Sequence, residues 1–129
     1  MKTRQSAKTA GEIMDWFALS TGLTDDQRPP RRYLWTDAFA VCTFLGLHRH
    51  TGMSKYRKLA LDLVDQVHWT LGRHRPDDTR RGWISGSDAA RGGEHPTAGG
   101  LRIGKKLRER KPDEALDERL EWELSLIHI

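Results

Sequence analysis

Two consecutive helical segments with different faces, separated by almost no linker, constrain this chain most. From Thr36 to His50 the residues Ala38, Phe39, Ala40, Val41, Cys42, Phe44, Leu45 and Leu47 leave almost no polar side. A helix that is apolar nearly all round is expected to be buried on several sides. Thr36 is a candidate N-cap with Asp37 in the first turn, and His48, Arg49 and His50 suit the C-terminal end of the helix dipole. From Ser54 to Leu71 the pattern changes. Tyr56, Leu59, Ala60, Leu63, Val64, Val67 and Leu71 form one stripe at helical spacing, while Lys55, Arg57, Lys58, Asp62, Asp65 and Gln66 lie off it. This is an amphipathic helix with one wet face. The Gly52-Met53 turn between them is short enough to predict an antiparallel hairpin. One hairpin cannot bury an inner helix unaided, so neighbouring hairpins are expected to cover it.

The flanks are less regular. Ala10, Ile13, Met14 and Phe17 predict a helix over about 8–21, stopped by Gly22. Asp25, Asp26, Pro29 and Pro30 make 24–32 a loop. Residues 73–112 carry seven of the 12 glycines and three of the five prolines, and read as a long irregular loop. Trp83, Ile84, Leu101 and Ile103 suggest that parts of it are anchored. Ala115, Leu116, Leu120 and Trp122 allow a further helix over about 113–123. The expected fold class is therefore all-α, built of antiparallel helical hairpins and a long irregular loop.

Composition narrows the class. Only 36% of the 129 residues are hydrophobic and the mean hydropathy is −0.72, thin for a self-sufficient core. The expectation is a piece of a larger fold covering 1–123. The final residues, Leu124-Ser-Leu-Ile-His-Ile129, resemble the translation of a transposon-end sequencing adaptor and are set apart as an expected artefactual tail; a short C-terminal strand or helix end is the alternative. The net charge is +4, from 22 basic and 18 acidic residues. Their signs are interspersed, as on an ordinary solvated surface, which argues against a nucleic-acid binder. Cys42 is the only cysteine, so no disulfide framework exists within one chain. Its apolar neighbours predict a buried, inert thiol. No stretch approaches the ~20 apolar residues of a membrane span, and Met1 to Gly11 lacks an apolar signal core, which makes the cytoplasm the expected location.

The stretch Tyr33-Leu-Trp-Thr-Asp-Ala-Phe-Ala-Val-Cys-Thr-Phe-Leu-Gly-Leu-His-Arg-His-Thr-Gly52, with Tyr56 and Leu59-Ala60 after it, resembles a repeat unit of the six-hairpin glycosidase-like superfamily. The shared elements are a Trp before the inner helix, an aromatic and aliphatic inner helix, a Thr-Gly turn, and a Tyr and Ala on the outer helix. The resemblance covers about Tyr33 to Gly72. It implies an incomplete (α/α) toroid and a carbohydrate-active protein, of glycoside hydrolase or sugar epimerase type. The wider segment from Arg32 to Trp122 is similar to bacterial proteins of this fold with no assigned activity. A non-catalytic helical scaffold or protein-binding module is the alternative.

The candidate site residues follow. Asp37 is a candidate catalytic acid or base and Trp35 a sugar-stacking surface; alternatively Asp37 caps the helix and Trp35 packs between hairpins. Hydrolysis of a glycoside needs two carboxyls roughly 5–10 Å apart, and Asp37 supplies one. In the long loop, Trp83, Ser85, His95, Arg102 and Thr97-Ala-Gly-Gly100 are candidates for substrate binding, against the alternative of a plain surface loop. Arg102 could fork onto a carboxylate or phosphate, and His95 could move a proton. No metal site is expected, because His48 and His50 face different ways and His68 and His74 flank a helix end. No cofactor is expected either. Gly104-Lys105-Lys106 lacks the remainder of a phosphate-binding loop, and the basic run from Lys105 to Lys111 reads as a solvated helix entry. If neighbours are missing, the apolar helix over 36–50 invites self-association.

Overall fold

The computed structural model describes residues 2–76, 78–103 and 126–127, with side chains for 8–76 and 78–103. Its elements are α1 (Lys2–Ser20), α2 (Leu34–Thr51), α3 (Ser54–Leu71), α4 (Ala89–Glu94), β1 (Leu101–Arg102) and β2 (Leu126–Ile127). Helices dominate, as the periodicity predicts. The chain forms two compact units, Met1–Gln66 and Val67–Ile129.

In the first unit, α1 and α2 meet through the Phe17 and Phe44 rings, whose centroids lie 6.4 Å apart. Phe44 is fully buried and stacks on Tyr56 of α3 at 6.5 Å. The face that α1 buries is rotated from the expected one: Gly11, Met14 and Ala18 are buried, and Ile13 is exposed. Gly11 explains the rotation, because a Cβ there would overlap the Tyr56 hydroxyl. Two polar links add to the packing, from Lys55 Nζ to Asp15 at 3.3 Å and from Gln66 Nε2 to the Gly22 carbonyl at 3.3 Å. α1 starts at Lys2, earlier than position 8, over a run of good helix formers.

α2 begins at Leu34, two residues before the predicted start, and its N-cap is Tyr33, not Thr36. Tyr33 offers no side-chain cap; instead Asp37 Oδ2 reaches back to accept the Tyr33 N–H at 2.9 Å. This is the returning half of a capping box, displaced by one residue. At the other end Gly52 takes φ +72° and its N–H donates to the His48 carbonyl at 2.8 Å, a left-handed stop. α3 then starts at Ser54, as predicted.

Burial corrects one expectation. α2 buries a single stripe, Asp37, Ala40, Phe44 and Leu47. Trp35 is 63% and Phe39 74% exposed, with Leu45 and Cys42 exposed beside them. The predicted buried thiol is therefore at the surface. Among the described residues of this unit, α1 and the start of α3 cover one side of α2 only, and an apolar sequence is buried only where a neighbour lies against it.

Within the long irregular loop expected over 73–112, the described residues of the second unit form a short helix and a two-residue strand. Asp88 caps α4, its side chain accepting the Arg91 N–H at 2.8 Å. An isolated bridge joins Arg73 to Trp83, and Ile84 N donates to the Gly72 carbonyl at 3.0 Å. β1 pairs with β2 antiparallel, Leu101 opposite Ile127 and Arg102 opposite Leu126. That pairing has the geometry of the strand alternative for the final residues. The helix expected over 113–123 lies outside the described residues. No helix is long and apolar enough to cross a membrane among those described.

Candidate functional site

The sequence candidates fall in both units. In the first, Asp37 is 2% exposed and sits beside Arg32, also 2% exposed. Arg32 Nη1 and Asp37 Oδ1 are 3.6 Å apart, an ion pair too long for a hydrogen bond. Arg32 spends its other nitrogens on the chain, Nε on the Arg31 carbonyl at 3.0 Å and Nη2 on the Thr21 carbonyl at 3.2 Å. Its guanidinium lies 5.8 Å from the Phe17 ring centroid. Together these contacts pin the 21–33 connection to the start of α2. Burial raises the Asp37 carboxyl to about 6, against the opposing pull of Arg32 and the Tyr33 N–H; burial likewise lowers Arg32. Asp37 thus has an acid's proton affinity near neutrality but little contact with solvent. Trp35, two residues earlier, is open to solvent.

In the second unit Trp83 and Arg102 turn inward. Trp83 is 7% exposed. Its ring lies so close over Gly92 that a Cβ there would overlap it, and it also lies against Gly72. It meets the exposed Trp69 edge-on at 5.8 Å, and the Arg73 guanidinium stacks 4.2 Å from the Trp69 centroid. Arg102 is 5% exposed; its Nε donates to the Arg73 carbonyl at 2.9 Å and its Nη2 to the Thr70 carbonyl at 2.5 Å. The fork expected on a carboxylate or phosphate instead falls on the Thr70 carbonyl, in the last turn of α3 where carbonyls lack a helical partner, and on the Arg73 carbonyl just beyond it. A second inward fork forms nearby. Arg80 Nε and Nη2 bind the buried Asp78 at 3.1 and 2.8 Å and hold its carboxyl down at about 2. Burial, with the Arg80 charge, also lowers His74.

Ser85 and His95 face outward, into an open cleft of about 810 Å³. Ser87, Asp88 and Arg91 complete its polar lining, and Ile84, Ala98 and Gly99 its apolar walls. Gly86, at φ +78°, turns the chain between the two serines. Gly99 lies directly on the backbone of Ile84 and Ser85, where a Cβ would overlap main-chain atoms, so its close approach is to the protein's own chain and not to a ligand. Arg91 and His95 are four apart across α4 and its C-cap, and therefore share a face. Among the described residues neither side chain has an intramolecular partner. Sequence reading named His95 and Ser85 and missed Ser87, Asp88 and Arg91. The signal was there: Asp88 before Ala-Ala is an N-cap signature.

The cleft thus offers hydrogen-bond donors from Arg91 and His95, hydroxyls from Ser85 and Ser87, and an acceptor at Asp88. Among the described residues no group of three or more His, Cys, Asp or Glu side chains comes together to hold a metal. No protein-family model, curated protein or solved structure matches the chain.

Proposed function

We propose that this protein acts on carbohydrate, as a partial (α/α) toroid of helical hairpins, and that the cleft between Ile84 and Gly99 is a sugar-contact surface. The observation that carries the proposal is the mixed lining of that cleft. Sugar hydroxyls both donate and accept. A concave site with convergent donors and one carboxylate suits them better than a site of one sign. The six-hairpin resemblance of 33–72 and the exposed Trp35, able to stack on a ring, support the same class. Separately from the cleft, Asp37 is the candidate acid of a hydrolytic step at the start of α2, since a carboxyl raised to about 6 can hold a proton near neutrality. The test is a nuclear magnetic resonance titration of the full chain with a panel of mono- and disaccharides. Amide shifts confined to 84–99, lost on Ser85→Ala/Asp88→Ala, are expected; no shifts with any sugar would end the proposal. Turnover of aryl glycosides that survives Asp37→Asn would remove Asp37 from the chemistry.

A second reading has its own observation. Trp16 on α1, and Trp35, Phe39 and Leu45 on α2, are exposed apolar side chains, as on a helical scaffold that binds protein or a second copy of itself through α2. Light scattering would then show an oligomer that Phe39→Glu disperses. A monomer at high concentration would count against self-association.

A further inference from the structure

The carbohydrate reading leaves the identity of the sugar open, and the cleft lining narrows it. Arg91 and His95 project from one face into the cleft. Arg91 has no carboxylate partner among the described residues. Its neighbour Asp88 uses Oδ1 to cap α4 through the Arg91 N–H at 2.8 Å. A guanidinium that lines a cleft and forms no ion pair with the described residues can take an oxyanion there.

The remaining donors indicate its shape. A carboxylate is planar and is satisfied by one guanidinium fork. Here donors arrive from two directions. Arg91 and His95 come from α4, and Ser85 and Ser87 from the turn made by Gly86 at φ +78°. A tetrahedral phosphoryl group, with three terminal oxygens pointing apart, can meet all of them. Asp88 excludes a bare anion from being the best ligand, because its charge repels one. Its uncommitted Oδ2 instead accepts from a hydroxyl. The best occupant therefore carries both a phosphoryl group and neighbouring hydroxyls.

Resting on the carbohydrate reading, we infer that the 84–99 cleft takes a phosphorylated sugar, its phosphoryl group on Arg91, His95 and the two serines and a ring hydroxyl on Asp88.

The experiment is calorimetry on the full chain with glucose 6-phosphate, glucuronate, glucose and inorganic phosphate. Glucose 6-phosphate is expected to bind at least about tenfold more tightly than each of the other three, the discrimination one charge-assisted fork supplies. Arg91→Ala should reduce the preference for glucose 6-phosphate over glucose to less than about twofold, and Arg91→Lys should restore part of it. Arg91 is exposed, and an unaltered circular dichroism spectrum would show that the variant keeps its fold. Equal binding of glucose and glucose 6-phosphate would overturn the inference and leave the carbohydrate reading standing. Glucuronate binding as tightly as glucose 6-phosphate would overturn the choice of a phosphoryl group. Inorganic phosphate binding as tightly would overturn the role given to Asp88. Binding of none of the four would overturn the inference, whereas the carbohydrate reading falls only if the wider sugar panel also fails.

Discussion

Replacing Asp37 by Asn should flatten the pH dependence of folding between about pH 4 and pH 6. The carboxyl stands at about 6 in the folded protein against an ordinary value of 3.8. The folded state therefore holds this proton more tightly than the unfolded chain does. The resulting stabilisation is fully present below 3.8 and is lost as pH rises through 6. A shift of that size is worth at most about 3 kcal/mol, at 1.36 kcal/mol per unit. The cause is burial without a good partner: Arg32 lies 3.6 Å away and gives no hydrogen bond, so the charge is desolvated and only partly compensated. His74 works the other way in part of the same range. Its pKa is lowered from 6.5, so its contribution is present above 6.5 and is lost as pH falls. The informative quantity is thus the difference between wild type and Asp37→Asn, in urea unfolding followed by circular dichroism at about pH 4, 5, 6 and 7. Wild type should lose stability relative to the variant as pH rises. Parallel curves, or a carbon-13 titration of Asp37 with a midpoint near 3.8, would refute the reasoning.

Gly92→Ala should destabilise the second unit by about 1–3 kcal/mol and shift Trp emission, because the new methyl overlaps the Trp83 ring. Gly93→Ala, with nothing within 4 Å, should instead be neutral or stabilising by up to about 1 kcal/mol through helix propensity; equal effects at the two positions would show that Trp83 does not lie where described. Arg102→Ala should cost about 2–3 kcal/mol by removing charged hydrogen bonds from the Thr70 and Arg73 carbonyls, visible as faster hydrogen exchange in the last turn of α3. Cys42, exposed on α2, should react with Ellman's reagent in native protein within about tenfold of its rate in denaturant, since access and not chemistry separates an exposed from a buried thiol.

The three long helices were legible, the short α4 was not, and helix facing was legible for α3 alone. The Ser54–Leu71 stripe was read correctly, because Tyr56, Ala60, Leu63, Val67 and Leu71 stand against polar residues on the opposite side and fix the orientation. α2 has no such contrast. An all-apolar surface says that burial is favourable everywhere and cannot say where a neighbour lies, so Phe39 and Cys42 were expected inside and stand outside. The start of α2 was misplaced for a different reason. Thr36 has the side chain of a cap, but Asp37 satisfies the Tyr33 N–H from inside the helix, and a bond made backward from N4 leaves no mark at the cap position itself.

The 73–112 segment shows why residue type alone could not sort its candidates. A Trp and an Arg in a glycine-rich loop read as ligand contacts, yet both serve the loop's own packing. Trp83 requires flat backbone on two sides, and Gly72 and Gly92 provide it. Arg102 requires unpaired carbonyls, and the end of α3 provides them. These glycines therefore record contacts within the protein, not an approach to a ligand. Once Trp83 and Arg102 are committed inward, the polar residues between them in sequence are left on the outer side. Arg91 and His95 then share one face because α4 sets their spacing. The cleft is a consequence of that inward packing, so a change at Gly92, which touches no cleft side chain, should disturb binding there by displacing α4.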